Sequence, residues 1–280
     1  MKKVTYFLKS FPVLSQTFVI DQINNLIESG CDVRIISVFP EKIDSKLKGS
    51  VDKFNLLEKT EYVCEKQSYF GKVCFLLLAF FTCLKRFRNS RSVLNLFKHL
   101  ALSRDFKNAI NIVRIHHHLI YKSQIPQEFR MGTFIAHFGQ FGVMTQALID
   151  SKILSGKLLT VFHGYEMSEH EQIKIWKTRY VGLCKGNNQL LPISDFWKKR
   201  LIEWGASEEH VSVLHMGVDT QSLPFQPKPL KNPINILTVA RATEKKGLTY
   251  AFEAVSLGLS FPYEYNYIGN GQLVQQLKDQ

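Results

Sequence analysis

The stretch TFIAHFGQFGVMTQALIDSKILSGKLLTVFHGYE, residues 133–166, decides the fold class. Two short apolar runs with β-forming residues, 133–138 and 158–162, enclose a longer segment, 140–153, whose apolar residues recur with the period of a helix. Each run carries a histidine at its end, and a glycine follows closely. This order of strand, helix and strand predicts a β-α-β unit with parallel strands.

The same alternation extends through most of the chain. Apolar runs predict further strands, and periodic segments predict further helices, which begin at a capping residue and end before a glycine. Strands that alternate with helices are typical of a doubly wound α/β sheet. The predicted strands are 4–8, 33–39, 189–194 and 211–215; the predicted helices are 15–29 and 195–205, with Ser15 and Asp195 as N-caps and Gly30 and Gly205 at the C-terminal ends.

The segment LPFQPKPLKNP, residues 223–233, carries four prolines and no periodicity, which is typical of a linker. The alternation then resumes with a strand at 234–240, a helix that starts at Lys246, and a strand at 263–269. Two strands are too few to be covered on both faces, as a parallel sheet requires. We therefore interpret residues 1–222 as a complete Rossmann-like domain, and residues 234–280 as the beginning of a second one.

Residues from about 65 to 125 interrupt the α/β alternation and are interpreted as a helical insertion. Within it, GKVCFLLLAFFTCLKRFRNSR (71–91) joins a nearly uninterrupted apolar run to a cluster of cations. The run is too short to span a bilayer. Two alternatives remain open for this segment: a buried helix, or a helix in the membrane interface whose cations contact anionic headgroups.

The composition limits the compartment and the partners. The five cysteines are scattered and form no C-x-x-C pair, which argues for a reducing, cytoplasmic location and against a zinc site. The N-terminus lacks the apolar core of a signal peptide. The formal net charge of +12 favours an anionic partner, namely a phosphate-bearing substrate or a membrane surface. No nucleic-acid partner is predicted, because the sequence has no zinc-finger, RRM or P-loop motif.

Polar residues collect where the predicted strands end, which is the ligand-binding edge of a doubly wound sheet. His137 and Gly139 follow the first strand of the quoted stretch, and His163, Gly164 and Glu166 follow the second. A single histidine at a strand end is usually structural. Two of them, on strands that are consecutive in the sequence, predict a shared crevice.

The loop SFPVLSQ, residues 10–16, joins the first predicted strand to the first predicted helix. It follows the strand, so it is expected at the same edge of the sheet as the histidines. Its Ser10, Ser15 and Gln16, together with the loop amides, are candidates for binding a phosphate or a hydroxyl-rich ligand. The alternative is an ordinary connection between a strand and a helix.

In the second unit, Arg241 ends a strand and Lys246 precedes Gly247 at the start of a helix. Two cations beside a helix N-terminus favour a dense anion such as a diphosphate. The segment IGNGQL follows the next strand, and its Gly269 and Gly271 permit a close approach of the backbone to a ligand. The third glycine of a dinucleotide fingerprint is absent.

No metal site is predicted. The three consecutive histidines at 116–118 lie in a helix-like segment without other ligand types at metal spacing, so packed or solvated side chains are favoured there. The sequence also contains no D-x-D motif. A metal held on a nucleotide sugar by such a motif is therefore not expected.

Taken in order, FPVLSQTFV, AHFG, FHGYE, LPISDFW, HMGVD and VARATEKKGL…YNYIGNGQL resemble glycosyltransferase family 4, whose members are retaining enzymes of GT-B fold. The set is especially similar to the colanic-acid type of bacterial exopolysaccharide glycosyltransferase, along essentially the whole chain. The resemblance implies two Rossmann-like domains. The first takes the acceptor, and the second takes the nucleotide sugar.

The resemblance also implies roles for the candidate residues. Arg241 and Lys246 match the basic pair that stabilises the departing diphosphate, without a metal cofactor. His137 and His163 match strand-end histidines in the sugar and acceptor cleft, and the loop 10–16 matches one that closes over acceptor and phosphate. The other substrate-binding candidates are Gly139, Gly164, Glu166, Gly217, Gly269 and Gly271.

The resemblance predicts transfer of a hexosyl group from a nucleotide sugar to a lipid-linked saccharide acceptor in surface polysaccharide biosynthesis. The location is then cytoplasmic, on the inner face of the membrane if residues 71–91 contact lipid. Family members continue into an E-x7-E motif that holds the donor, and this chain is expected to lack it because it ends at Gln280. The alternatives are a non-catalytic remnant, an acceptor-binding subunit completed by a second polypeptide or by self-association, and a nucleotide-sugar epimerase.

Overall fold

The computed structural model describes residues 1–64, 91–218, 220, 225–227, 229 and 232–279. The chain forms two compact units, Met1–Gly217 and Val218–Gln280. The boundary between them falls a few residues before the proline-rich segment 223–233. The described residues of that segment have no regular secondary structure.

The first unit is built on a six-stranded sheet in which all neighbouring strands are parallel. The strands are β1 (Lys3–Phe11), β2 (Asp32–Pro40), β3 (Thr60–Tyr62), β4 (Thr133–His137), β5 (Lys157–Phe162) and β6 (Gln189–Pro192). Their order is β3-β2-β1-β4-β5-β6, so the winding reverses between β1 and β4. The predicted α/β class with a doubly wound parallel sheet is confirmed.

Both faces of this sheet are buried, as parallel strands require. Neighbouring side chains of β1 point to opposite faces. Tyr6 and Leu8 belong to one apolar cluster, whereas Phe7 belongs to the other, together with Phe134 and Trp176. Because side chains on both faces are apolar, the strands read in the sequence as continuous apolar runs.

Helices cover the two faces of the sheet. The cluster that contains Tyr6 is completed by α1 (Thr17–Glu28) and α2 (Lys48–Asp52). The cluster that contains Phe7 is completed by α3 (Arg91–Leu102), α4 (Phe106–Tyr121), α5 (Gly139–Asp150), α6 (Tyr165–Ser168), α7 (His170–Cys184) and α8 (Asp195–Glu203). The helices α3 and α4 lie within the predicted helical insertion.

The two predicted N-caps, Ser15 and Asp195, differ from those in the structure by one residue each. Ser15 lies within a 3-10 turn, Leu14–Gln16, and α1 begins at Thr17. The N-cap of α8 is Ser194, whose hydroxyl accepts a hydrogen bond from a backbone N–H three residues on, and Asp195 is the first helical residue. Ser194 takes the role because its backbone is extended, as a cap requires.

The strand predicted at 211–215 forms only one β-bridge, between Val211 and Leu190. The segment runs beside β6 and donates two backbone hydrogen bonds to it, at 3.1 Å to Leu190 and 2.8 Å to Pro192. Proline has no N–H to donate in return, so the ladder cannot be completed. The prediction of a strand was therefore wrong, although the segment does lie along the edge of the sheet.

The second unit contains β7 (Ile234–Val239) and β8 (Tyr263–Ile268), which are parallel, and the helices α9 (Leu248–Ser256) and α10 (Val274–Lys278). Its buried core consists of Ala242, Leu248 and Leu277, with Phe252 and Tyr267 packed against it. The opposite face of the two strands is exposed. Its apolar side chains are Leu237, Val239 and Ile268, which are 58%, 68% and 59% exposed.

The predicted apolar and basic segment 71–91 lies outside the described residues, except for Arg91, with which α3 begins. Both alternatives for this segment therefore stay predictions. Among the helices in the described ranges, none is long and apolar enough to cross a membrane.

Candidate functional site

The carboxyl ends of β1 and β4 form the edge at which a doubly wound sheet of this order binds its ligand, because the connections diverge there to opposite faces. β1 and β4 are neighbours in the sheet, and β5 lies on the other side of β4. β4 ends at His137, and β5 ends one residue before His163. The sheet thus brings together two histidines that are 26 positions apart in the chain.

The two histidines are in direct contact. Nδ1 of His137 lies 3.0 Å from Nε2 of His163, and the rings are nearly parallel, with centroids 5.2 Å apart. His137 is buried and His163 is partly exposed. The rings of Phe18 and Phe138 lie 4.8 and 4.6 Å from the ring of His163. His163 therefore stands at the open end of the pair, between aromatic walls.

Two further polar residues join the pair, and the sequence analysis did not identify either. The side-chain oxygen of Gln22, on α1, lies 2.9 Å from Nε2 of His137. The hydroxyl of Tyr6, in the middle of β1, donates to the same oxygen at 3.0 Å. A continuous hydrogen-bonded chain therefore runs from Tyr6 through Gln22 and His137 to His163. It crosses from β1 to β4, where the winding of the sheet reverses.

Both imidazoles are neutral near pH 7. Burial lowers the pKa of His137 to about 3, and the adjacent His163 lowers it in the same direction. Burial also lowers the pKa of His163, to about 4. In a neutral imidazole, one ring nitrogen carries a hydrogen and the other a lone pair, so the pair can donate to or accept from a ligand without carrying charge.

Glu166 joins the ends of β4 and β5. Its side chain has no exposed surface, and Oε1 accepts hydrogen bonds from the N–H groups of His163 at 3.0 Å and Gly139 at 3.3 Å. Burial raises the pKa of Glu166, while these backbone donors oppose the rise. Because Gly139 begins α5, the carboxyl also lies at the positive end of that helix. Glu166 thus fixes the spacing of the histidines, and its contact with a substrate stays a prediction.

The glycines beside the histidines are required by close packing. A Cβ on Gly139 would lie 2.5 Å from the ring of Phe162 and 2.7 Å from that of Tyr180. Gly164 has φ of 86°, in the left-handed region, and a Cβ there would overlap the indole of Trp197. These contacts explain both glycines without a ligand. Contact of either glycine with a substrate stays a prediction.

Phe138 is a further residue that the sequence analysis did not identify. Its φ is 71°, which residues other than glycine rarely adopt. Its N–H donates to the carbonyl of Val161 at 2.9 Å, which helps to hold the backbone in this conformation. Backbone strain of this kind is frequent at ligand-binding sites. Here it places the Phe138 ring against His163.

The loop candidates lie at the same edge of the sheet. Ser10 is the penultimate residue of β1 and is half-buried, Ser15 is exposed, and Gln16 is half-buried in the turn that follows. The peptide bond between Phe11 and Pro12, within this loop, is cis. Gly217 is exposed and is the last residue of the first unit. Substrate contacts of these residues stay predictions.

In the second unit, Arg241 and Lys246 flank the turn that leads into α9. Arg241 lies two residues after the end of β7. Lys246 ends a 3-10 turn, directly before Gly247, which caps the helix with φ of 63°. Both cations are exposed. Neither has an ion-pair partner within the described part of the chain. The turn therefore offers two cations to an anion.

The loop after β8 packs closely on the loop after β7. The N–H of Ala242 donates to the carbonyl of Asn270 at 2.9 Å. A Cβ on Gly269 would overlap the carbonyl oxygen of Ala240, and one on Gly271 would overlap that of Ala242. The contact between the two loops requires both glycines, and their proximity to a nucleotide stays a prediction.

In the described ranges, no three or more His, Cys, Asp or Glu side chains are grouped so that they could hold a metal ion. The histidines at 116–118 lie on α4 and are buried. His118 contacts the carboxylate of Glu61 at 3.0 Å, and the ring of His117 lies 5.0 Å from that of Tyr121. Their contacts are those of packed side chains.

Curated relatives of this chain are polysaccharide glycosyltransferases. This chain is 33% identical over 279 residues to the amylovoran biosynthesis glycosyltransferase AmsK of Erwinia amylovora. It is 34% identical over 280 residues to the putative colanic acid biosynthesis glycosyltransferase WcaL of Escherichia coli K12. The alignments cover 99% and 95% of this chain, but 66% and 64% of the relatives. The chain thus spans slightly less than two thirds of their length. No protein-family model matches.

Solved glycosyltransferases of GT-B type share the fold. Alr3699/HepE of Anabaena, crystallised with UDP and glucose, has a TM-score of 0.60 and is 12% identical to this chain. The match covers 100% of this chain and 65% of the HepE chain. TarM of S. aureus has a TM-score of 0.60 and is 9% identical to this chain. The match covers 100% of this chain and 74% of the TarM chain. The predicted fold class is therefore confirmed.

Proposed function

We propose that the chain acts as a retaining glycosyltransferase of bacterial exopolysaccharide biosynthesis, which moves a hexosyl group from a nucleotide sugar to a saccharide acceptor. The observation that carries the proposal is the identity of about one third, along nearly the whole chain, to two polysaccharide glycosyltransferases. The neutral histidine pair and the exposed cations add a chemical basis. The relatives do not favour the non-catalytic alternative.

The first unit, in this proposal, binds the acceptor at the edge formed by β1, β4 and β5. His163 is partly exposed and neutral there, so it can exchange hydrogen bonds with a sugar hydroxyl. The loop 10–16 closes over the ligand from the end of β1. The acceptor is a lipid-linked saccharide at the cytoplasmic face of the membrane.

The second unit binds the nucleotide sugar. Breaking the bond between the anomeric carbon and the donor places negative charge on the departing diphosphate. The exposed Arg241 and Lys246 stabilise that charge, so the reaction needs no metal ion. UDP-glucose is the first donor to test, because HepE has been crystallised with UDP-glucose.

A transfer assay tests the reaction itself. A protein of the curated relatives' full length that contains this chain is incubated with radiolabelled nucleotide sugars, beginning with UDP-glucose, and with heat-inactivated membranes from a bacterium that makes colanic acid. We expect label in the lipid-extractable fraction in the presence of EDTA, and loss of that label in the His163→Gln variant. Transfer with none of the donors would contradict the proposal.

The role of the cations is tested by Arg241→Ala and Lys246→Ala. Each is expected to lower kcat/KM by an amount equivalent to about 2–4 kcal/mol, because charge on the leaving diphosphate loses its counterion. Lys278→Ala removes an exposed cation from α10 of the same unit and serves as the control, with unchanged kcat/KM. Equal rates in all three variants would remove Arg241 and Lys246 from the site.

A further inference from the structure

The hydroxyl of Tyr6 needs a hydrogen-bond acceptor. Tyr6 has no exposed surface, and burial raises the pKa of its phenol, so the hydroxyl keeps its hydrogen. Its hydrogen-bond partner within the described residues is the side chain of Gln22, at 3.0 Å. A buried hydroxyl whose hydrogen has no acceptor costs about 1–3 kcal/mol of folding free energy.

This requirement decides which way the amide of Gln22 faces. With its oxygen toward Tyr6 and His137, that oxygen accepts from both groups through its two lone pairs. With the amide reversed, its nitrogen would donate to both groups, and the hydrogen of the Tyr6 hydroxyl would have no acceptor. The first orientation is therefore favoured, and the partly exposed Gln22 can turn its nitrogen toward water.

The orientation of Gln22 then fixes the hydrogens on both imidazoles. Because the amide oxygen only accepts, Nε2 of His137 carries the hydrogen, and Nδ1 of His137 has the lone pair. Nδ1 of His137 can then only accept from Nε2 of His163, 3.0 Å away. His163, which is neutral, is left with a lone pair on Nδ1. This nitrogen has no partner in the described ranges.

We propose that Tyr6 and Gln22 are positioning residues that set the direction of this hydrogen-bonded chain, so that His163 presents an unprotonated Nδ1 as an acceptor for a ligand hydroxyl. The identity of the ligand as a sugar hydroxyl rests on the proposed function. The direction of the hydrogen-bonded chain rests on Tyr6, Gln22 and the two histidines alone. Glu166 maintains the arrangement by holding the ends of β4 and β5 together. The hydroxyl of Tyr6, on β1, thus determines whether Nδ1 of His163, two strands away, accepts or donates a hydrogen bond.

The direction is measured by 15N NMR of the full chain labelled at histidine, at pH 7, with signals assigned by the His137→Gln and His163→Gln variants. Ring nitrogens with and without a hydrogen have well-separated shifts. We expect Nε2 to carry the hydrogen in both residues, and Nδ1 of each to be unprotonated. A hydrogen on Nδ1 of His163 would overturn the proposal. No substrate is needed, so failure of sugar transfer and failure of this inference are separate results.

Tyr6→Phe tests the origin of the direction. It removes only the hydroxyl, so both orientations of Gln22 become acceptable, and the Nδ1 shift of His163 should move toward the value of a mixture of tautomers. Gln22→Leu removes the acceptor shared by Tyr6 and His137, and should move the Nδ1 shift of His163 in the same way. The matched control is Tyr62→Phe, on β3, which removes a hydroxyl bonded to the carbonyl of Phe11 instead. Wild-type shifts in either Tyr6→Phe or Gln22→Leu would exclude that residue as a determinant.

Discussion

In the first unit, helices cover both faces of a six-stranded parallel sheet, whereas in the second unit they cover only one face of two parallel strands. The first unit has two large apolar clusters, and the second has a buried core of Ala242, Leu248 and Leu277. The sequences of β1 and β7 nevertheless look alike, since each is a short apolar run. An apolar strand sequence therefore shows that a strand is present, but the neighbouring elements decide how much of it is buried.

The two units also differ in how they hold their candidate site residues. His137 and His163 are fixed by hydrogen bonds and by aromatic contacts inside the first unit. Arg241 and Lys246 are exposed on a turn of the second. The histidine pair is thus preorganised, while the cations depend on the fold of a smaller unit to keep their spacing.

Hydrogen exchange should show the largest difference between the units. Because one face of β7 and β8 is exposed, their amides are expected to exchange about 1,000-fold faster than those of β1, β4 and β5, equivalent to about 4 kcal/mol of opening free energy. The measurement uses the chain at low micromolar concentration, read by mass spectrometry. Equal protection would mean that the exposed face, with Leu237, Val239 and Ile268, is covered in solution.

A matched pair of leucines on strands sharpens the same comparison. Leu8 on β1 is buried, whereas Leu237 on β7 is 58% exposed. Leu8→Ala should lower the free energy of unfolding by about 2–5 kcal/mol because it leaves a cavity, and Leu237→Ala should change it by less than about 0.5 kcal/mol.

The effects of Leu8→Ala and Leu237→Ala are measured by different methods, because the two leucines lie in different units. All three tryptophans (Trp176, Trp197 and Trp204) lie in the first unit, so urea unfolding followed by tryptophan fluorescence reports Leu8→Ala. Exchange of the β8 amides reports Leu237→Ala. A large loss in the second variant would show that Leu237 is buried against another surface.

Acid should destabilise the first unit through its histidines. The pKa values of His137 and His163 in the folded chain, about 3 and 4, lie below the ordinary value of 6.5. Above pH 6.5 both are neutral in either state. As the pH falls from 6.5 to about 4, the unfolded chain binds protons that the folded chain does not. Stability should then fall by up to about 1.4 kcal/mol per pH unit for each histidine.

The control for this slope is His163→Gln, which removes one of the two shifted groups and should give a shallower decrease in the free energy of unfolding. All nine histidines precede Gly217, so the second unit has no histidine to contribute such a slope. Identical slopes in the wild type and the variant would show that His163 is already protonated, or already exposed, in the folded chain.

Much of the fold could be predicted because its signals are local. The runs that became β2, β4 and β5 are short and apolar, and a strand needs few residues to show its pattern. The prediction failed where a neighbour decided the outcome, as at 211–215, where Pro192 leaves the ladder incomplete. The three-residue β3 was missed because such a segment is too short to show a period. In the same way, Asp195 looked like a cap, but the backbone of Ser194 had the extended conformation.

The sequence by itself determined the alternation of strands and helices. It also placed His137, His163 and Arg241 at strand ends and Lys246 at a helix start, because these features depend on residues close together in the chain. Only the tertiary structure decided that Gln22 meets His137 across 115 positions. The same holds for the burial of Glu166 behind the site and for the exposure of one face of the second unit. The physical reason is that a hydrogen bond or a buried face needs a partner, and the partner is supplied by elements that are distant in the sequence.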